Sequence, residues 1–163
     1  MTAAEPESSA LETSTSGSLR VDFYVLEGSA TSSARLRFAC RLIEKAYLAS
    51  QTVLVWHTEA EELKALDDLL WTFGDRAFVP HEMLKAGVSP RETPVVLTVG
   101  NAPAERFDII VNLAPDVPPC LGITARVAEI IDSDEARRRA GRVRFKTYRD
   151  QGLQPASHPI RTE

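Results

Sequence analysis

The chain has 163 residues, 44% of them hydrophobic, and a formal net charge of −4 at pH 7. That length supports one globular core and is short for two ordinary domains. The sequence contains neither an apolar stretch of about 18 residues nor a cationic start followed by an apolar run, so we expect no membrane span, no secretory signal and a cytoplasmic protein. Cys40 and Cys120 form no CxxC motif, which argues against a disulfide framework or a thiolate metal site.

The predicted elements alternate between strands and helices. Residues 1–18 are rich in Ser, Thr and Glu and lack aromatic and cationic residues, so we predict a disordered acidic segment there. Further along, strands are predicted at residues 20–26, 52–56, 93–99, 108–113 and 125–131, and helices at 33–49, from Thr58 to Gly74, and at 134–150. The pattern predicts a single Rossmann-like α/β domain over residues 19–152, with a mostly parallel sheet covered by helices on both faces. Residues 153–163 are expected to form a short C-terminal tail.

The chain lacks the motifs that give such sheets their usual chemistry. After the first strand it reads LEGSATSSA, without a GxGxxG or GxxxxGK[ST] pattern, so Gly28 is only a weak phosphate-loop candidate. There is no GxSxG motif, and His57, His81 and His158 lack the spacing of a metal site. The paired carboxylates lie on predicted helix surfaces, with no nucleophile to accompany them. We therefore predict a non-catalytic binding module without a cofactor or a bound metal.

The helix predicted at residues 134–150 is the most strongly charged segment. Seven cations and three acidic residues give it a net charge of +4, so the rest of the chain carries −8. At 100° per residue, one face spanning about 100° carries Arg138, Arg142, Phe145, Lys146 and Arg149. We expect the opposite side, with Ala136, Ala140, Val143 and Thr147, to face the core. Phe145 would then have no core to enter, which suits a ligand that is both negatively charged and apolar.

Three interpretations of this basic helix are open. It is a solvated helix with extended Arg side chains, or it binds nucleic acid through phosphates and bases, or it binds an acidic peptide that ends in an apolar residue and a free carboxylate. The net charge of the whole chain disfavours direct nucleic-acid binding, which remains the alternative function.

A second candidate surface follows the second helix. Trp71 lies about 80° from the apolar stripe that contains Leu63, and Phe78 and Val79 follow in a loop. Large apolar residues away from the core stripe indicate a contact surface, although a partly buried edge residue and a loop plug would give the same pattern.

Several segments, in their order and spacing, resemble the chi subunit family of bacterial DNA polymerase III holoenzyme. They are FYVL near the start, LDDLLWTF followed by FVPH, the pair PVVLTV and DIIVNL, and the final RVRFKTYRDQG. The resemblance covers roughly residues 21–152 and leaves out the acidic segment at the front. It implies a Rossmann-like sheet without nucleotide chemistry and an accessory subunit that is not an enzyme by itself.

The resemblance also implies two partner-binding surfaces. In the family, chi pairs with the psi subunit, which tethers it to the clamp loader, and binds the acidic C-terminal tail of single-stranded DNA-binding protein, so that DNA is contacted mainly indirectly. The tail-binding site would comprise Ile131, Arg138, Arg142, Phe145, Lys146 and Arg149, with Phe145 standing where the family usually has Tyr. The psi-binding surface, for which a repair helicase is a further candidate partner, would comprise Trp71, Phe78 and Val79.

Overall fold

The computed structural model describes residues 19–28, 32–72, 78–84, 93–100, 103 and 105–161. Within these residues the strands are β1 (Arg20–Glu27), β2 (Val53–His57), β3 (His81–Met83), β4 (Val95–Val99), β5 (Ile109–Asn112), β6 (Arg126–Ile131) and β7 (Ala156–Arg161). The helices are α1 (Ser32–Leu48), α2 (Ala60–Thr72) and α3 (Glu135–Asp150). No helix in this described part of the chain is long and apolar enough to cross a membrane.

The described strands form one parallel sheet in the order β3-β4-β2-β5-β6-β1-β7. Strands β2 and β5 are buried at every position, as expected for parallel strands that are covered on both faces. At the other side of the sheet β1 lies between β6 and β7, with Val21 opposite Val127 and Tyr24 opposite His158. The predicted α/β class with a parallel sheet is confirmed.

Helices cover both faces of this sheet. Helices α1 and α2 pack on one face, where Ile43, Leu63 and Leu66 are fully buried. Helix α3 packs on the other face, where Tyr148 is fully buried against a cluster that includes Phe23. Each such side chain contributes roughly 1.5–3 kcal/mol when it leaves water. The two helical layers therefore lie on opposite sides of one sheet.

The predicted boundaries agree with the structure to within two residues wherever the structure describes them. Two predictions concern residues outside the described ones, namely the disordered segment at residues 1–18 and the end of the second helix at Gly74. The structure adds two strands that were not predicted. Strand β3 has only three residues, and β7 occupies residues that we expected to be a tail. Strand β7 pairs with β1 at the edge of the sheet, where exposure and Pro159 remove the usual apolar pattern.

The buried face of α3 is not the predicted one. Val143 is 62% exposed, whereas Gly141, Arg144 and Tyr148 are buried. The prediction took the side opposite the cationic stripe as the core face and did not anticipate a buried arginine, but Arg144 is paired with a buried carboxylate on β6. The core face consequently lies directly beside the cationic stripe and not opposite it.

Candidate functional site

The first turn of α3 is fixed to the end of β6 by polar contacts. The Asp134 carboxylate caps the helix by accepting from the main-chain N–H of Arg137 at 3.0 Å. The Arg137 guanidinium donates to both carboxylate oxygens of Asp132, at 2.9 and 2.7 Å. Arg138 donates from Nε to the main-chain oxygen of Asp132 at 3.1 Å. These bonds set the orientation of the cationic stripe that follows.

A buried polar network fixes the inner side of α3. Glu129 on β6 accepts from Arg144 Nε at 3.0 Å, from the Tyr148 hydroxyl at 2.7 Å and from the Asn112 amide at 2.9 Å. Burial raises the pKa of the Glu129 carboxyl, while the Arg144 charge and these hydrogen bonds oppose the rise. Burial, together with the Glu129 charge, also raises the pKa of Tyr148. Arg144 therefore holds the helix to the sheet and is not part of the accessible cationic surface.

Helix α3 lies close to the end of β6 at Gly141. A Cβ atom at this position would lie 2.2 Å from Cδ1 of Ile131, a distance that real side chains do not adopt. The absence of a side chain at Gly141 thus allows the helix to sit directly over Ile131. Gly141 and Ile131 both line the cavity beside this contact.

The structure brings the predicted residues of α3 together around two adjoining depressions. Ile131, Arg138, Arg142 and Phe145 line a cavity of about 180 Å³. Arg142, Phe145, Lys146 and Arg149 line the second depression together with Asp150. The two depressions share Arg142 and Phe145, so an apolar cavity and a cationic surface meet at these side chains. We call this combined surface the α3 site.

Phe145 corrects one expectation. Its ring centroid lies 5.1 Å from that of Phe23, so the ring is half-buried against the core and does not stand free in a cationic stripe. The reason is the position of the true core face, which borders the stripe. One face of the α3 site is consequently held rigidly by core packing.

The cations of the α3 site differ in how they are already paired. Arg142 and Arg149 are exposed and have no carboxylate partner among the described residues. Lys146 Nζ lies 3.0 Å from Asp150 Oδ2, but both side chains are well exposed, so this pair is worth little. Arg142 and Arg149 are therefore the cations that an anionic ligand meets without displacing another group.

The second candidate surface consists of two aromatic rings in contact, tilted by 33° relative to each other. Trp71 and Phe78 are 57% and 55% exposed, and their ring centroids are 5.2 Å apart. His81 lies behind them, 4.9 Å from the Trp71 ring. Its Nδ1 donates to the Val79 carbonyl at 2.8 Å, and its Nε2 lies 3.0 Å from Asp67 Oδ1, outside hydrogen-bond geometry. Sequence reasoning noted that His81 lacks the spacing of a metal site and did not connect it with Trp71.

We expected Val79 to belong to this surface, but it does not. Its side chain is buried in the core beneath α1 and α2, so it cannot contact a partner. It anchors the loop that carries Phe78.

A third cluster lies where open α/β sheets commonly bind ligands, beyond the carboxyl end of β2. A cavity of about 320 Å³ there is lined by Arg35, His57, Glu59 and Glu62 among others, and the ligating atoms of the last three lie within 4.8 Å of one another. The imidazole Nδ1 of His57 accepts from the main-chain N–H groups of Thr58 and Glu59, at 2.8 and 3.2 Å. A neutral imidazole has one N–H, so Nε2 carries the proton and donates to Glu62.

This arrangement does not fit a metal ion. The protonated Nε2 of His57 offers no lone pair, and Glu62 Oε1 already accepts from Arg35 Nη2 at 2.5 Å. Burial pushes the pKa of Glu62 upwards, but the hydrogen bond from His57 and the charge of Arg35 outweigh it and lower the pKa to about 2. The cluster is an ion-pair network that ties α1 to α2.

Sequence comparison identifies the family. The family described as "DNA polymerase III chi subunit, HolC" matches residues 19–156. The DNA polymerase III subunit chi of Pseudomonas aeruginosa is 38% identical over 141 residues, which cover 86% of this chain and 96% of the relative. The protein of the same name from Haemophilus influenzae is 27% identical over 132 residues, covering 80% and 90%. That of Escherichia coli is 25% identical over 144 residues, covering 80% and 91%.

Solved structures agree on the fold. The C-terminal domain of the DEAD-box protein Dbp5 aligns with a TM-score of 0.59 and 11% identity, over 89% of this chain and 92% of that domain. A DEAD box protein from the hyperthermophile Methanococcus jannaschii aligns with a TM-score of 0.54 and 13% identity, over 93% and 45%. At these identities the likeness shows a shared fold alone. The family match over residues 19–156 and the 38% identical relative, in contrast, show that this chain belongs to the DNA polymerase III chi subunit family.

Proposed function

We propose that this accessory subunit of DNA polymerase III connects the holoenzyme to single-stranded DNA-binding protein, and that the α3 site binds the acidic C-terminal tail of that protein. Membership of the chi family gives the coarser role, a subunit of the replicative polymerase complex. One observation carries the finer proposal: exposed Arg142 lines both the apolar cavity and the cationic depression and has no carboxylate partner in the described part of the chain.

The geometry suits a peptide that ends in an apolar residue with a free carboxylate. The apolar side chain would enter the cavity against Phe145 and Ile131, and Arg142 would bind the terminal carboxylate through its planar fork. Arg138, Lys146 and Arg149 would attract the acidic residues upstream. Phe145 lacks the phenol oxygen of the Tyr that is usual in the family, so only its ring contributes.

The expected affinity is modest. A short peptide held by one apolar anchor and a few charges binds at about micromolar strength, near −8 kcal/mol. Single-stranded DNA coated with an oligomeric binding protein presents many such tails at once, and this multivalency would raise the effective affinity.

We further infer that Trp71 and Phe78 contact the psi subunit, which would tether the chain to the clamp loader, with a repair helicase as a second candidate for the same surface. The support is the pair of contacting, more than half-exposed rings backed by His81. Rigid aromatic side chains of this kind supply much of the binding energy of protein interfaces.

The test of the α3 site is calorimetric titration with about the last nine residues of the cognate single-stranded DNA-binding protein, at low and moderate salt. Wild-type protein should bind with micromolar affinity, and Arg142→Ala should lose about 2 kcal/mol or more. Arg139→Ala is the matched control, because Arg139 is also an exposed arginine on α3 but lines neither depression and faces Glu135. It should bind like wild type.

Titration with bare single-stranded DNA distinguishes the proposed function from the alternative, direct nucleic-acid binding. If the wild type ignored the tail peptide and bound bare single-stranded DNA with an affinity that falls steeply with salt, the basic helix would be a phosphate reader and the proposal would fail.

A further inference from the structure

A second groove lies on the opposite face of the sheet, between α1 and the edge formed by β1 and β7. It encloses about 360 Å³, and its floor is apolar, with Leu42, Ala46, Ile109 and Ile160. Leu42 and Ile160 pack against the core cluster of α1 and α2, not against that of α3. We call this surface the α1 groove. It shares no residue with the α3 site or with the Trp71 surface.

Two of the three cations around the α1 groove have no acidic partner within the described part of the chain. Arg126 is satisfied by Asp22, with Nε 3.1 Å from Oδ2, and by the Tyr24 hydroxyl. Arg41 and Lys45, which are four residues apart on α1, are exposed and pair with no carboxylate among the described residues. Like charges at this spacing repel each other. An anion bound between Arg41 and Lys45 would offset the repulsion between their charges, so the groove favours a negatively charged ligand.

The groove favours a peptide over nucleic acid. The Tyr24 ring is stacked on His158 at a centroid distance of 5.3 Å and contacts Phe38 at 5.5 Å, and the Arg41 guanidinium lies 5.8 Å from the Phe38 ring centroid. These contacts occupy the ring faces on which a base would stack. The aliphatic floor instead accepts an apolar side chain.

The edge of the sheet points the same way. Strand β7 ends the sheet order, so one side of its backbone has no strand neighbour among the described residues. An unpaired strand edge is a surface along which an extended peptide can lie.

We propose that the α1 groove binds an acidic peptide segment of a partner protein, with an apolar side chain on the groove floor and carboxylates at Arg41 and Lys45. Arg41 and Lys45, four residues apart on α1, can each face a side-chain carboxylate of a bound segment. An internal acidic segment therefore suffices, and a free terminal carboxylate is not required. The proposal stands independently of the function assigned to α3.

The test is NMR titration of the full chain with a blocked hexapeptide, acetyl-EDELDE-amide, which has no free terminal carboxylate. Signals of Phe38 and Ile160 should shift saturably. Combined charge reversal, Arg41→Glu with Lys45→Glu, should raise the Kd about tenfold or more, because two attractive contacts become repulsive. Arg139→Glu is the control, because Arg139 is exposed and lines neither the α1 groove nor the α3 site, and it should leave this titration unchanged. The peptides EDESDE and QNQLNQ, blocked in the same way, should both bind more weakly, because each removes one of the two recognised features.

Three results would overturn the proposal. Shifts confined to Phe145 and its neighbours would assign the peptide to the α3 site. A hexathymidine oligonucleotide that shifted Phe38 and Ile160 more strongly than EDELDE would make the groove a nucleic-acid site. Changes in the same signals on substituting Glu5, Glu7 and Glu12 by Gln, without added peptide, would assign the groove to the chain's own acidic segment.

Discussion

Truncation of two arginines that lie two positions apart on α3 should change the free energy of unfolding by very different amounts. Arg144 is 5% exposed and donates to Glu129 and to the Pro115 carbonyl, both at 3.0 Å. Arg144→Ala leaves the fully buried Glu129 without its counter-charge, and breaking a buried pair in this way costs about 3–5 kcal/mol. That is a large part of the roughly 5–15 kcal/mol by which a domain is stable. Arg142 is exposed, so Arg142→Ala should change stability by less than about 0.5 kcal/mol.

Urea unfolding followed by tryptophan fluorescence and circular dichroism measures this difference. With a slope of about 2 kcal/mol per molar urea, the midpoint of Arg144→Ala should fall by about 2 M, while that of Arg142→Ala should stay at the wild-type value. The double variant Glu129→Gln with Arg144→Met removes both charges and should recover much of the loss. An Arg144→Ala midpoint equal to wild type, or a double variant less stable than Arg144→Ala alone, would refute the reasoning.

Three further predictions concern other parts of the molecule. The pKa of Glu62 is about 2 in the fold against an ordinary 4.5, so its stabilisation is present above pH 4.5 and is lost as the pH falls towards 2. Glu62→Gln should therefore lower the melting temperature at neutral pH and flatten its decline over that acid range; a parallel decline would contradict this. Gly141→Ala should weaken tail binding several-fold, because its Cβ displaces Ile131, whereas Gly122→Ala, where a Cβ meets nothing within 4 Å, should bind normally. Equal affinities of the two variants for the tail peptide would show that Ile131 is not part of the α3 site. Trp71→Ala should weaken binding of the cognate psi subunit by about 2 kcal/mol or more in calorimetry, with an unchanged urea midpoint. Undiminished psi binding would place that interface elsewhere.

The main elements of the fold could be predicted because each has a strong local pattern. Strands β2, β4 and β5 are short apolar runs, which only burial on both faces explains. Strand β7 has no such pattern, because an edge strand with alternately exposed residues and Pro159 resembles a polar tail. Its place in the sheet depends on pairing with β1, a contact between the two ends of the domain.

The candidate site, like the fold, could be predicted only where it follows from a local pattern. The stripe on α3 follows from helix geometry alone, and the structure does bring Arg138, Arg142 and Phe145 together. Which side of the helix is buried could not be obtained in this way, because the partner of Arg144 is Glu129, 15 residues earlier. A single glutamate inside the apolar strand RVAEII was the available signal. A buried carboxylate requires a cation, and the next helix supplies one.

The position of the sheet between its two helical layers has a consequence for exchange of partners. Trp71 is on α2 and Arg142 is on α3, and these helices pack on opposite faces of the sheet. If both surfaces bind partners as proposed, the two ligands would contact no residue in common. A protein bound at α2 could then stay in place for a long time while peptides at α3 dissociate and are replaced. The residence time of the protein bound at α2 and the exchange rate of peptides at α3 would then be independent. Substitutions at one surface would change one of these rates and leave the other unchanged.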